Sequence, residues 1–497
     1  MKKKYVSFLG VMFMVLGGTI GAGIFFKNET ILDNTGSILL AMLSWVIAIF
    51  AVFCISMTFS DIIKKSGWDN SLGYVGWIKK FCGTGLYKGF RNFMFWIFLP
   101  GMTFILPYYS IMSFQDALSI FTGSRCVIPW YAVMLISVVI LIYFQYMAVI
   151  NKNVSIKQNF ILSYIKFLPI LFAIFGGIFY FAYTGHPQNP VLNVASDNGA
   201  PFNLIKFSPA FGVIAAIPAI FFAFDGFYTA SGVYSDMKEP KKFSSALCWG
   251  IALTAIIYVL ISIGMLLGVK TGAITGWISV LSTTPGKVLL FIILFCISCS
   301  VIAILNAWTI YNGEFYRDVI RTDSNKFNNW VKSKVNINDK KQWALFLTLF
   351  QLITFCAFSI VGVFFYSGIR TNVYYDNVSR CIYAFCDLIA DWCALLSFVG
   401  IGIVILFAVI QKINTSKKYM FYSITAISLT GIAALFEVVL ASSNLISSII
   451  FQVDNPSTNP ESYLIPYICE FVVLLIFLGV CFTPMIKQKI AKRFNLR

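Results

Sequence analysis

Two short stretches and one lysine carry residue types suited to holding a small charged molecule. The first is Gly17-Gly18-Thr19-Ile20-Gly21-Ala22-Gly23-Ile24-Phe25. So many glycines make a continuous helix costly. Two readings fit: close helix packing of the G-x-x-x-G kind, or an unwound turn whose exposed N–H groups and helix dipole receive a carboxylate. The second stretch is Phe221-Phe222-Ala223-Phe224-Asp225-Gly226-Phe227. A break there turns carbonyls toward an ammonium group, with Phe222 closing over it. The alternative is an Asp225 carboxylate bonded to nearby backbone or to a lysine, since an ionised acid inside an apolar run is expensive alone. The lysine is Lys166, within Ile161–Pro169. It either snorkels to the nearer surface or loses its proton on desolvation.

Little else in the chain suggests chemistry. The single His, His186, falls in a loop, and no His-Asp-Ser or metal-ligand spacing accompanies it. Cys296 and Cys299 form a C-x-x-C only inside an apolar run, without a second pair. No enzyme, metal or cofactor is expected.

The elements that position these residues follow from composition. Of 497 residues, 59% are hydrophobic and 11% charged, with mean hydropathy +0.82. A water-soluble domain carries about 25% charged residues, so much of this surface meets lipid. Apolar runs near 7–31, 37–59, 92–114, 128–150, 160–183 and 209–234 are followed by others near 244–268, 287–312, 343–366, 381–410, 419–442 and 463–485. Each is long enough to cross about 30 Å of hydrocarbon. Without period-two alternation they are predicted as twelve helices, not barrel strands. The first run lacks a cleavage pattern and is read as a retained span.

The net charge of +17 could indicate a nucleic-acid partner. Sorted over twelve spans, however, most Lys and Arg fall on the side of the termini. The opposite side holds Arg125, Lys206, Lys270, Lys287, Arg370 and Arg380. The positive-inside rule then places both termini in the cytoplasm and explains the charge without nucleic acid. The long loop 60–91, with Trp68, Tyr74, Trp77 and Tyr87, reads as an amphipathic segment along the membrane surface. The two candidate breaks lie in spans one and six, corresponding positions of two five-helix units, which points to inverted repeats around a mid-membrane site.

Several ordered pieces resemble the amino acid, polyamine and organocation transporters. Gly18-Thr19-Ile20-Gly21-Ala22-Gly23-Ile24-Phe25 is similar to the family's first-helix signature, and Phe221–Phe227 to its sixth-helix segment. Asp236-Met237-Lys238-Glu239-Pro240 resembles the loop into helix seven. Asn306-Ala307-Trp308-Thr309 and Tyr316-Arg317-Asp318 resemble the end of helix eight. The loop Trp68–Tyr74 departs from the family's glycine-pair pattern. The resemblance implies an all-α polytopic membrane protein with a LeuT-like 5+5 inverted-repeat core and two accessory helices. Its units would be residues 1–183, 184–411 and 412–497.

By the same resemblance, backbone at Ala22, Gly23 and Ile24, with Thr19 and Gly21 beside it, holds a substrate carboxylate. Carbonyls at Phe222, Ala223 and Phe224 hold the α-amino group, Phe222 gates, and Asp225 and Gly226 adjoin. Asp225 meets a cationic side chain, a proton or only the protein. Proton-coupled relatives place a lysine like Lys166 against the broken first helix, where sodium-coupled relatives hold a cation.

The expected function is amino acid transport across the plasma membrane by alternating access, coupled to protons, with membrane lipid as the surrounding partner. The alternative is an amino acid or polyamine exchanger. A channel would need a polar pore stripe, which is not evident. Asp387 and Asp391 share a face of span ten, near an extracellular approach or the outer interface. Glu437 and Glu470 fit a structural role between accessory helices. Tyr108, Tyr109, Gln115, Ser298, Ser300 and Asn306 are further polar candidates for the route.

Overall fold

In lipid every backbone polar group must be satisfied within the chain, and long apolar segments meet that demand as helices. The computed structural model describes residues 6–66, 72–123, 128–191, 209–227, 230, 237–366, 375–411, 416–454 and 464–493. Among these, ten helices are long and apolar enough to cross a membrane. Two shorter apolar helices, Phe8–Thr19 and Ala210–Phe224, stand where spans one and six were expected. Together they account for the twelve predicted spans, and the two that fail the length criterion are the two in which breaks were expected.

In chain order, span one comprises α1 (Phe8–Thr19) and α2 (Ala22–Thr35), and span two is α3 (Ile38–Ser66). Span three is entered through α4 (Thr84–Phe93), which runs through a π-helical turn into α5 (Leu99–Thr122). Next come α6 (Trp130–Ile150), α7 (Lys152–Ile165) and α8 (Phe167–Thr184). Span six comprises α9 (Pro209–Ala215) and α10 (Ile217–Phe224). The remainder are α11 (Phe243–Gly268), α12 (Thr284–Thr322), α13 (Lys326–Lys334), α14 (Lys340–Ile360), α15 (Tyr375–Ile410), α16 (Lys417–Asp454) and α17 (Ile465–Arg493).

Helix α12 lies along α5, and α11 along α1, α3 and α8, so that α1 and α10 sit inside a ring of longer helices. Helices α16 and α17 are peripheral: 22% and 17% of their most apolar windows are buried, against 83% for Thr84–Thr122. Large exposed side chains such as Leu135, Val139, Phe179, Ile353 and Leu435 form the lipid-facing surface.

Interruptions have local causes. Pro169 supplies no N–H to the carbonyl of Ile165, and the helix of span five is interrupted between α7 and α8 with Lys166 at the joint. Pro218 acts similarly after Ala216. Elsewhere glycine permits contact closer than any side chain allows. A Cβ on Gly177 would lie 1.6 Å from the carbonyl oxygen of Gly264, and one on Gly268 would lie 2.6 Å from the Cα of Gly177. Backbones of α8 and α11 therefore touch directly, as small-residue interfaces in membranes do.

The segment expected on the membrane surface differs from that expectation. Tyr74, Trp77 and Tyr87 are buried, Trp77 packs edge-on to Phe59 at 4.8 Å, and the Tyr74 and Ser397 hydroxyls share a hydrogen bond at 3.3 Å. These rings pack into the bundle because α15 and α3 offer an apolar face there; Trp68 lies outside the described residues. Helices α12 and α16 continue well past the apolar runs 287–312 and 419–442, to Thr322 and Asp454. On the side of the termini, Val6 forms an isolated parallel bridge with Met237, the Lys238 N–H donating to the Val6 carbonyl at 2.8 Å. That contact joins the start of α1 to the segment leading into α11.

Candidate functional site

The break in span one is two residues long. Helix α1 ends at Thr19, Ile20 is extended, and Gly21 precedes the first turn of α2 at Ala22, Gly23 and Ile24. N–H groups in a first turn have no acceptor within their own helix, and the dipole there favours an anion. Gly21 is packed so tightly that a Cβ would lie 1.8 Å from Ile304. Span six breaks after Phe224. The Asp225 N–H donates to Phe222 at 3.1 Å, and Gly226 adopts φ +100°, a left-handed conformation that favours glycine. A Cβ on Gly226 would stand 2.5 Å from the Gly18 carbonyl oxygen, so the two breaks meet backbone to backbone.

A third element holds them. The Tyr258 hydroxyl, on α11, lies 2.9 Å from the Thr19 carbonyl oxygen and 2.7 Å from that of Ala223. One O–H proton faces two acceptors, the last carbonyls of α1 and nearly the last of α10. Phe224 stacks edge-on to Tyr258 at 5.0 Å, and Trp45 does so at 5.8 Å. Phe224 is thus part of the support.

Lys166 approaches from behind α1. Its buried side-chain nitrogen donates to the carbonyls of Gly17 at 2.8 Å and Ile20 at 2.5 Å. It does not snorkel; it caps the C-terminal end of α1, where carbonyls lack helical partners and the dipole favours a cation.

Two adjoining cavities lie in front of the breaks. The inner one, about 30 Å³, is lined by Gly18, Thr19, Gly23, Phe222, Ala223 and Asp225 from the broken spans. Met102, Ile105, Leu106 and Tyr109 of α5 and Val301, Ile304 and Trp308 of α12 complete it. The outer cavity, about 220 Å³, is lined by Gly23, Lys27, Glu29, Thr30, Tyr109, Met112, Phe222 and Asp387. Gly23, Tyr109 and Phe222 border both, so the Phe222 and Tyr109 rings stand between them.

Lys27 crosses the outer cavity. Its ammonium pairs with Asp391 at 2.9 Å and Asp387 at 3.6 Å and lies 5.2 Å from the centre of the Phe222 ring. The Tyr109 hydroxyl donates to Asp387 at 2.5 Å. Helices α2, α5 and α15 are thereby tied together above Phe222. Asn28 adds a deeper tie, accepting from Trp45 at 3.3 Å and from Ser262 at 2.9 Å.

Of the residues singled out from sequence, Thr19, Gly23, Phe222, Ala223 and Asp225 line the inner cavity, while Gly21, Gly226 and Phe224 shape it from behind. Ala22 and Ile24 contribute the backbone of the first turn of α2, and Lys166 stands outside both cavities. Among the other polar candidates Tyr109 borders both of these cavities. Tyr108 bonds Ser359, Gln115 donates to Tyr383, Ser298 meets Ser110 and Asn306 donates to Ser155, which ties helices together, while Ser300 donates to the Cys296 carbonyl within α12. Tyr228, Thr229, Ser231, Gly232 and Asp236 lie outside the described residues.

Tyr258 and Lys27 were not anticipated as site residues. Tyr258 gives no sequence signal among 24 tyrosines. Lys27 does: a lysine inside an apolar run, four residues after Gly23 and hence on its helical face.

Comparison with known proteins agrees with this architecture. Solved structures of the same fold include MhsT in complex with L-phenylalanine, with TM-score 0.53 at 14% identity, covering 88% of this chain and 98% of that one. A manganese transporter of Eremococcus coleocola gives TM-score 0.55 at 13% identity, covering 97% and 94%. These likenesses show a LeuT-like transporter fold. In sequence, an uncharacterized protein of Mycoplasma pneumoniae is 28% identical over 83% of this chain and 78% of its own length. A serine/threonine exchanger of Bacillus subtilis is 24% identical over 53% of this chain and 55% of its own length. The human cystine/glutamate transporter is 22% identical over 52% and 49%, so the chain spans about half the length of these two. The family model described as amino acid permease matches residues 6–478, and the chain belongs to that family of integral multi-pass membrane transporters.

Proposed function

We propose that this chain carries amino acids across the plasma membrane by alternating access, with both termini in the cytoplasm and a proton as the coupling ion. The substrate carboxylate rests on the first turn of α2, at Ala22, Gly23 and Ile24, and the α-amino group faces the carbonyls at the end of α10. The observation that carries the coupling is the contact of Lys166 with Gly17 and Ile20. A protonated Lys166 holds the end of α1 by charge-assisted bonds. Loss of the proton weakens that hold and lets α1 move relative to α7 and α8. Substrate and proton then shift the equilibrium between outward-open and inward-open forms through their different affinities for the two.

Phe222 and the Lys27–Asp391 pair form the barrier on the outer side, and the Val6–Met237 bridge forms part of the barrier on the inner side. The test is uptake of a labelled mixture of the twenty amino acids into proteoliposomes, with and without an inward proton gradient. Accumulation above equilibrium only with the gradient is the expected result. Accumulation that needs an amino acid preloaded inside would favour exchange, a reading supported by the similarity to a serine/threonine exchanger.

A further inference from the structure

We propose that the segment joining α12 to α14 binds an anionic phospholipid, its headgroup phosphate held in a concavity by Arg321, Lys332 and Lys334. This concavity, about 610 Å³, lies at the end of α12, and Ser333 and residues 335–338 complete it. All three cations are exposed. Arg321 donates to the side-chain oxygen of Asn338, and Lys332 donates to the carbonyls of Arg321 at 3.2 Å and Asp323 at 3.4 Å. These acceptors are neutral: they orient the two side chains and leave their charge in place. Among the described residues none of the three cations pairs with a carboxylate. The acids of the same stretch are engaged elsewhere. Asp323 pairs with Arg91 at 2.5 Å and accepts from Tyr87 at 3.0 Å, while Asp339 accepts from the Lys341 N–H at 2.8 Å at the start of α14. A set of cations converging on one concavity is a site for a phosphate.

The flanking helices put this concavity at a membrane surface. Along α14 the exposed side chains change from Lys340 and Lys341 to Leu345 and Leu349. Five residues of helix span about 7.5 Å, roughly the depth of one headgroup layer. Helix α13 adds an aromatic anchor. Its Val331 is buried, Phe327 packs on Trp96 at 5.1 Å, and Trp330, 6.0 Å from Phe327, is left 53% exposed. Trp330 and Lys334 stand four residues apart, on one face of α13. Exposed indoles beside exposed lysines mark a membrane–water interface. A soluble anion would use the cations alone. A phospholipid engages both, its phosphate at Arg321, Lys332 and Lys334 and its glycerol and upper acyl chains at Trp330.

The test titrates the purified full chain in detergent with dioleoylphosphatidylglycerol, or with dioleoylphosphatidylcholine, which has the same acyl chains and no net charge. A ligand of the folded form raises the melting temperature. The expected result is a rise of about 2 °C or more with phosphatidylglycerol alone. Arg321→Gln, Lys332→Gln and Lys334→Gln together should abolish that rise. Lys326→Gln, Lys340→Gln and Lys341→Gln together remove the same charge from the same segment and should keep most of it. Equal effects of the two lipids on the parent protein overturn the proposal and need no variant to fold. Equal losses in the two triple variants also overturn it, since diffuse surface charge would then suffice. So does a rise that inorganic phosphate or polyglutamate reproduces without lipid, which would make this a site for soluble anions. Lys334→Gln alone removes a side chain that makes no bond among the described residues, so it leaves the fold intact. It should shift the midpoint of the phosphatidylglycerol titration several-fold upward, and an unchanged midpoint overturns the assignment.

Discussion

Tyr258 donates to the carbonyl of Ala223 at 2.7 Å, and Ala223 lines the inner cavity. The same hydroxyl lies 2.9 Å from the Thr19 carbonyl, so one proton serves the ends of two broken helices. On the proposed binding mode, a substrate ammonium reaching for either carbonyl would compete with that hydroxyl, which has the other acceptor to turn to. The tie between α1 and α10 is therefore adjustable.

Tyr258→Phe removes this tie while keeping the ring against Phe224 and Trp45. Hydrogen bonds within membranes are worth about 0.6 kcal/mol on average and about 1.7 at most. The expected change is a several-fold shift in apparent substrate affinity with thermal stability little altered. Equilibrium binding on purified protein measures it; unchanged affinity would assign the hydroxyl to packing alone.

Lys166→Ala removes the ammonium from the end of α1 and leaves the Gly17 and Ile20 carbonyls without it. Proton-driven accumulation should fall about tenfold or more, the equivalent of 1.4 kcal/mol, and its pH dependence should flatten. Substrate-for-substrate exchange should suffer less. Initial rates across a pH series provide the measurement, and a variant with the parental pH profile would remove Lys166 from coupling.

Lys27 and Asp391 can be tested by a double-mutant cycle with Lys27→Met and Asp391→Asn. Lys27 is largely buried but the acids are partly exposed, with 41% of the Asp391 side chain accessible. Solvent screening keeps the coupling near about 1 kcal/mol, well below the about 3–5 of a fully buried pair. Thermal unfolding of the four proteins in detergent gives the coupling, and a value of zero would mean the pair does not close the outer cavity.

Gly226→Ala forces a Cβ toward the Gly18 carbonyl at a φ of +100°. A cost of about 1–3 kcal/mol is expected from backbone strain, read as a lowered melting temperature and lost transport. A variant with parental stability would show that the two breaks do not need this close approach.

The helices were legible from sequence because lipid makes apolar run length decisive. The breaks were legible because the glycines from Gly17 to Gly23, and Gly226 beside Asp225, are poor company for a continuous helix. What could not be read was lateral packing. Tyr74 and Trp77 look the same in sequence whether they lie on a membrane surface or against Phe59 and Ser397, since amphipathic aromatics suit both. Tyr258 is likewise one tyrosine in an apolar span until α1 and α10 are placed on either side of it. Asp387 and Asp391 were legible as a shared face, but their partner Lys27 lies more than three hundred residues earlier, and no periodicity links the two.

The contact of Gly177 with Gly264 and Gly268 has a mechanical meaning. Helix α8 begins next to Lys166, and α11 carries Tyr258; where these helices cross, backbone rests on backbone with no flexible side chain between them. Such a joint has no backlash. On the proton-coupled cycle proposed above, a displacement started at Lys166 would pass through this joint to the helix that carries Tyr258, so that two residues that both bond carbonyls at the end of α1 would act on it as the two ends of a single lever.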